Sequence, residues 1–315
     1  MFPHLRTSGK GGVNPQSAGD VLRDAIKVQQ LSLASVQAML SGYVTPIRLG
    51  RDPAQRKATL QALKDGKVAE ATRFLAERTR GLDRTKLFFE EERFETDAGD
   101  FCVVQCDITP LPRARNVKEL FDVLFYFIFN VEIKITETLG SITVREDDES
   151  GDEGVSHHRL ASRTQFGVPT EISTVHFSDF REPSADNMFL GSGTIVADFV
   201  DEDELYPYRP RERVRRDLTA VLTITPERRR GQRRAANARG SDGDRDGDGD
   251  NGDDDGVVVV LTRWMTIRSH RAQFPVGDEA AQHLQSTLGN WTDEMLKALR
   301  QKAAARGPAC APQGI

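Results

Sequence analysis

The sequence predicts an α+β fold: a curved antiparallel β-sheet wrapped around a long C-terminal α-helix, with extra helices at the N-terminal side. Three observations predict it. From Leu87 onward, short apolar stretches with strand-like alternation recur with short connections, which favours antiparallel pairing. From Val276 to about Ala305 the apolar period becomes helical, and Leu284, Leu288, Trp291, Met295 and Leu299 fall on one stripe. A stripe of that length needs a long apolar surface to lie against, and the concave face of the sheet is the one candidate.

Taken in order, residues 1–19 read as a flexible leader rich in Gly, Ser and Pro. Residues 20–80 read as a helical region. Val21, Leu22, Ala25, Ile26, Leu33, Val36 and Leu40 make the stretch from Asp20 to Ser41 an amphipathic helix that Gly42 stops. A second helix begins at Pro53, a residue suited to the first turn, and runs to Thr79, with Gly66 expected to divide it.

The main domain is placed at residues 87–305. Leu87 to Thr96 and Phe101 to Ile108 form a hairpin around Asp97-Ala98-Gly99-Asp100, which Pro110 and Pro112 bring to an end. Asn116 is an N-cap for a helix from Val117 to Phe129. The alternation at Val131, Ile133 and Ile135 fits a short strand or a continued helix. Strands are expected at Ser141–Arg145, His158–Phe166, Glu171–Arg181, Phe189–Val200, Arg216–Thr225 and Gly256–Phe274.

Two polar tracts interrupt this pattern. Glu146 to Glu153 holds six carboxylates and reads as a solvated strand connection in preference to a metal site. Residues 226–256 form a disordered insert whose first half carries six Arg against one Glu, and whose second half carries eight Asp against one Arg. Its Asp-Gly repeat superficially matches a calcium-loop spacing at Asp244, Asp246, Asp248 and Asp255. An Arg-rich coil and a strand flank it where helices should stand, so the match is rejected. The Arg228–Arg234 cluster has no interleaved aromatic residue and is neutralised by the acidic half, so no nucleic-acid partner is expected. Residues 306–315 read as a tail.

Composition excludes several classes. A net charge of −5 over 315 residues argues against a global field for nucleic acid or anionic membrane. The longest apolar run, Leu120 to Val131, is short of the roughly 20 residues that span a bilayer. The N-terminus has no apolar signal segment, so a cytoplasmic location is expected, with a nuclear one left open. Cys102, Cys106 and Cys310 fit neither a disulfide framework nor a metal site, and no cofactor is expected.

Three stretches carry a family resemblance. The first is Val117-Lys-Glu-Leu-Phe-Asp-Val-Leu-Phe-Tyr-Phe with Leu139-Gly-Ser-Ile-Thr-Val-Arg-Glu146. The second is Gly193-Thr-Ile-Val-Ala-Asp-Phe-Val200 running into Asp203-Glu-Leu-Tyr-Pro-Tyr208. The third is Val257-Val-Val-Val-Leu-Thr-Arg-Trp264 before the terminal helix. In that order they resemble the START-like helix-grip domains, of lipid-transfer type, expanded in water moulds. The resemblance implies a sheet around a hydrophobic cavity, the C-terminal helix as lid, and a lipid or other apolar small molecule as ligand. None of the stretches is a catalytic motif, and the chain is therefore expected not to be an enzyme.

Candidate ligand-binding residues follow from strand alternation. Gly191, Gly193, Ile195, Ala197 and Phe199 share one face, and Leu218, Ala220, Leu222 and Ile224 share a face of the next strand. Small residues among large ones describe a cavity and a closely packed helix equally well. The expected site comprises Ile195, Ala197, Phe199, Leu222, Arg263, Trp264, Leu288, Trp291 and Met295. Arg263, if it points inward, needs a partner such as Asp198 or Glu171, and could anchor a ligand headgroup; otherwise it is a surface residue lying over the sheet. Ligand entry would require the helix or the Asp201–Pro210 loop to shift. His157 and His158 point to opposite faces, and His176 has no evident nucleophile beside it, so a hydrolase is the least favoured reading. The alternative to a ligand carrier is an interaction or regulatory protein with a filled core, docking a protein partner through its N-terminal helices.

Overall fold

The computed structural model describes residues 45–114, 116–150, 154–188, 190–229, 256–290 and 292–304. The expected leader, the helix at 20–41, most of the Arg/Asp-rich insert, Trp291, Cys310 and the tail lie outside the described residues. Pro46–Ile315 forms one compact unit.

Helix α1 (Pro53–Arg78) starts on Asp52, whose carboxylate accepts the Gln55 amide, with proline in the first turn. Gly66 does not divide it: the helix continues through this position. A glycine costs an isolated helix about 1 kcal/mol, which packing along a 26-residue helix outweighs.

The sheet has eight strands: β2 (Phe88–Glu95), β3 (Phe101–Leu111), β4 (Ile142–Ser150), β5 (Val155–Arg163), β6 (Pro169–Arg181), β7 (Ser192–Phe199), β9 (Val214–Arg228) and β10 (Val257–Ser269). Their spatial order is β2-β3-β10-β9-β7-β6-β5-β4, with neighbours in that order antiparallel. Beyond the end of β7, β9 also pairs parallel with β6 at Thr170–Ile172. Two short strands, β1 (Arg48–Leu49) and β8 (Glu202–Asp203), pair with each other. The β2–β3 hairpin turns on Gly99 at φ +80°, a conformation that glycine adopts without strain.

Between β3 and β4 stand α2 (Val117–Phe129) and α3 (Val131–Leu139). Asn116 caps α2 by accepting the Glu119 amide, as the sequence predicts. The stretch from Val131 that allowed strand or helix is helical, and Gly140 ends it at φ +61°. Strand β4 extends through Ser150, so the acidic tract is partly strand, with a bulge between Arg145 and Asp147.

The expected single C-terminal helix is two: α4 (Asp278–Ser286) and α5 (Thr292–Ala304). Gly289 sits at φ +87°, which no helix tolerates, and the Thr292 hydroxyl donates to the Gly289 carbonyl. The stripe accordingly splits. Leu284 joins Val168, Val214 and Ala280, while Leu288, Met295 and Leu299 join the main core.

That core occupies the inner face of β3, β10, β9 and β7, against α2 and α5. It contains Val103 and Leu111 of β3, Leu120, Phe121 and Leu124 of α2, Ile195 of β7, Leu222 and Ile224 of β9, and Leu261 and Met265 of β10. Helix α1 covers the outer face, where Phe74 meets Trp264 edge-on at 4.9 Å. Hairpin, helix pair, antiparallel meander and terminal helices laid on the inner face together make the α+β helix-grip architecture that the sequence predicts.

Candidate functional site

Register decides which expected site residues meet. Ile195 lies opposite Leu222, and Ala197 opposite Ala220, all on the inner face. Ile195, Ala197, Leu222, Leu288 and Met295 are buried in one cluster. Phe199 is half-buried at the end of β7, with the Arg215 guanidinium 5.7 Å from its ring centroid. Trp264 takes the outer face instead, one residue out of phase with Arg263, and packs on α1 rather than beside Ile195.

Small residues on this face have two different settings. A Cβ built on Gly193 would fall 2.8 Å from Phe121 Cε2, so the absent side chain is what lets α2 approach. Ala197 and Ala220 lie deeper along the same strands, beside a polar row described next.

Arg263 is buried and points inward, as its alternative reading required. Its partner is neither Asp198 nor Glu171 but Asp107, whose Oδ2 accepts from Nε at 2.5 Å, while Gln105 accepts from Nη2 at 3.2 Å. Burial raises the Asp107 carboxyl pKa even though Arg263 opposes it. Arg263 Nη1 is shielded from water and meets no hydrogen-bond partner among the described residues. Asp198 is engaged elsewhere, on the outer face, by Lys67 of α1 and the Thr219 hydroxyl.

Sequence reasoning missed a row of polar groups on the inner face of β5 and β6. Ser156 lies opposite His176, and His158 opposite Thr174, while His176 lies opposite Ala197 on its other side. All four side chains are buried. Ser156 Oγ, Thr174 Oγ1 and His176 Nδ1 have no hydrogen-bond partner among the described residues. Two imidazoles stand 4.8 Å apart, with the Phe129 ring edge-on to His158 at 4.9 Å. Burial pushes the His158 pKa down to about 3 and His176 well below its usual value, so both are neutral at physiological pH. Neutral imidazole both donates and accepts, and hydroxyls do likewise, so the row can meet either kind of ligand group. Ser156 and His176 share a register position without a hydrogen bond, so they are not a formed nucleophile–base pair. The available signal was the spacing of Ser156 and His158 on one strand and of Thr174 and His176 on the next. His157 points the other way, to Ser173 at 2.9 Å.

A hollow of about 250 Å³ opens on the outer side among Arg159, Glu171, Asp203, Tyr206, Tyr208 and Arg215. Its charges are committed to one another. Arg159 pairs with Glu146 and Glu171, Arg215 pairs with Asp217, and Arg56 pairs with Asp203. Among the described residues no group of three or more His, Cys, Asp or Glu could hold a metal ion, and no helix is long and apolar enough to cross a membrane. Cys102 and Cys106 are buried thiols, both pushed up to about 11 by burial.

No family profile matches the chain, and no curated protein matches it. Solved structures that align with it include the di-domain ARO/CYC BexL from the BE-7585A biosynthetic pathway, at 12% identity and a TM-score of 0.28, over 81% of this chain and 63% of that one. Another is Ara h 8.0201, at 9% identity and a TM-score of 0.23, over 69% of this chain and 98% of that one. The chain thus spans less than two thirds of the first neighbour's length. Likeness at this level carries no argument about ligand or chemistry. The expectation that the chain is not an enzyme, drawn from the lack of a catalytic motif, is withdrawn, since the solved structures that align with it include an ARO/CYC protein.

Proposed function

We propose that the inner face takes up a lipid or other small, mostly apolar molecule, in the manner that the START-like resemblance implies. The observation that carries this reading is the buried set Ser156 Oγ, Thr174 Oγ1 and His176 Nδ1, left without partners beside the apolar inner face of β7 and β9. Buried polar groups are nearly always hydrogen-bonded, because an unmet donor or acceptor costs about 1–3 kcal/mol. A ligand with a few hydrogen-bonding groups on an apolar body would satisfy them and would find Ala197, Ala220 and Leu218 beside it. Arg263 Nη1 is a further donor on the same face.

The test compares native and denatured masses of the purified protein, followed by organic extraction of whatever is released. A stoichiometric apolar compound, lost from the double variant Ser156→Ala, Thr174→Val at unchanged far-UV circular dichroism, supports the reading. A bare protein after exposure to mixed lipids overturns it.

One observation favours a second reading, a filled core used as a scaffold for a protein partner. Phe121 occupies the space above Gly193, so that part of the inner face is already packed by α2. A bare protein in the mass measurement supports that reading.

A further inference from the structure

Arg216 carries two shielded guanidinium nitrogens that meet no anion among the described residues. It lies on the inner face of β9 between Val214 and Leu218, opposite Ser269 of β10 and beside Ile172 of β6. This is the stretch where β7 has ended and β9 pairs directly with β6. Val214, two residues before it on the same face, is packed under Ala280 and Leu284 of α4. Its Nε and Nη2 are shielded from water and have no hydrogen-bond partner among the described residues.

The neighbouring charges explain why nothing answers it. Arg215 and Asp217 point to the other face, where Asp217 accepts from Arg215 at 2.5 Å and lies 2.6 Å from His270 Nε2. Other enclosed arginines are matched: Arg56 to Asp203, Arg263 to Asp107, Arg145 to Glu132. Burial alone brings the Arg216 pKa down to about 10, which leaves it charged at physiological pH. Arg216 as a whole is half-buried, but a guanidinium edge with two shielded donors and no counter-charge is costly, and that pair of donors suits an acid group.

We propose that the ligand of the inner face is an organic anion, its carboxylate or sulfonate-like group received by Nε and Nη2 of Arg216. This rests on the inner face being a binding site. It adds a dimension to the ligand as well. Thr174 lies two residues along β6 from Ile172, and His176 four, which at the strand rise is roughly 7 and 13 Å from the level of Arg216. The apolar body is therefore of that length, with its acid group at one end and a hydrogen-bonding group toward the other.

The experiment titrates the full-length protein with two fluorescent dyes of the same aromatic body: 8-anilino-1-naphthalenesulfonate and its uncharged counterpart N-phenyl-1-naphthylamine. The anionic dye is expected to bind about ten- to a hundredfold more tightly. Arg216→Gln should bring the ratio near one, whereas Arg211→Gln, at an exposed arginine, should leave it unchanged. Removing a costly unpaired charge should hold or raise the melting temperature, so the variant is expected to fold; Arg216→Met serves as a second form of it. Equal binding of both dyes, or a preference that survives loss of Arg216, overturns the acid inference and leaves the apolar site standing. Binding of neither dye overturns the site and the acid inference together.

Discussion

Gly193 of β7 and Phe121 of α2 compete for one volume: a side chain at position 193 would stand 2.8 Å from Phe121 Cε2 and 2.9 Å from its Cγ. Gly193 does not have a positive φ, so its backbone would accept any residue, and the exclusion is purely steric. Gly193→Ala is expected to lose about 1–3 kcal/mol by overpacking. Urea unfolding checks this. Phe121→Leu added to it should recover part of the loss, which a backbone effect would not allow.

Arg263 and Asp107 form a buried pair that should be worth far more to break than to replace. Arg263→Met leaves the Asp107 carboxylate alone in the interior and is expected to cost about 3–5 kcal/mol. Joining it with Asp107→Leu should return the protein close to its original stability. A double-mutant cycle in chemical denaturation reads the coupling.

Acid should weaken the fold before the carboxylates titrate. His158 and His176 have depressed pKa values when folded, so the unfolded chain binds more protons below about pH 6.5. Stability is fully present above that pH and falls toward pH 3, at up to about 1.4 kcal/mol per pH unit for each histidine. His158→Phe should flatten this limb of the pH profile in thermal unfolding. An unchanged limb would place the proton uptake elsewhere.

Helix α1 is fastened by charge as much as by apolar contact. Lys67→Met strands Asp198 beneath the helix and is expected to cost about 3–5 kcal/mol. Phe74→Ala uncovers Trp264, and in a Trp291→Phe background the remaining indole should shift its emission to the red. No shift would mean that α1 does not cover Trp264.

Strand alternation makes the two faces legible in the sequence: Ile195 with Ala197, Leu222 with Ala220, and Arg263 against Trp264. It could not supply register. Arg263 meets Asp107 because β10 pairs with β3 at a sequence separation of 156, a relation that local pattern does not carry. The same limit hid the row at Ser156, Thr174 and His176, which exists only when β5 and β6 are placed side by side. The break between α4 and α5 was masked by apolar spacing that continues through Gly289, where the left-handed backbone overrides the periodicity. On α1 the buried face includes Arg56 and Lys67, residues that composition alone assigns to solvent.

The long span between β3 and its partner has a consequence in time. At roughly 5–20 residues per second, a ribosome needs about 8–30 s to travel from Asp107 to Arg263. Throughout that interval β3 has only β2 beside it, and its other edge offers unpaired amides and carbonyls to any passing strand. A chain stalled before Val257 would therefore be the most aggregation-prone form of this protein, and slow codons between β9 and β10 would lengthen that exposure.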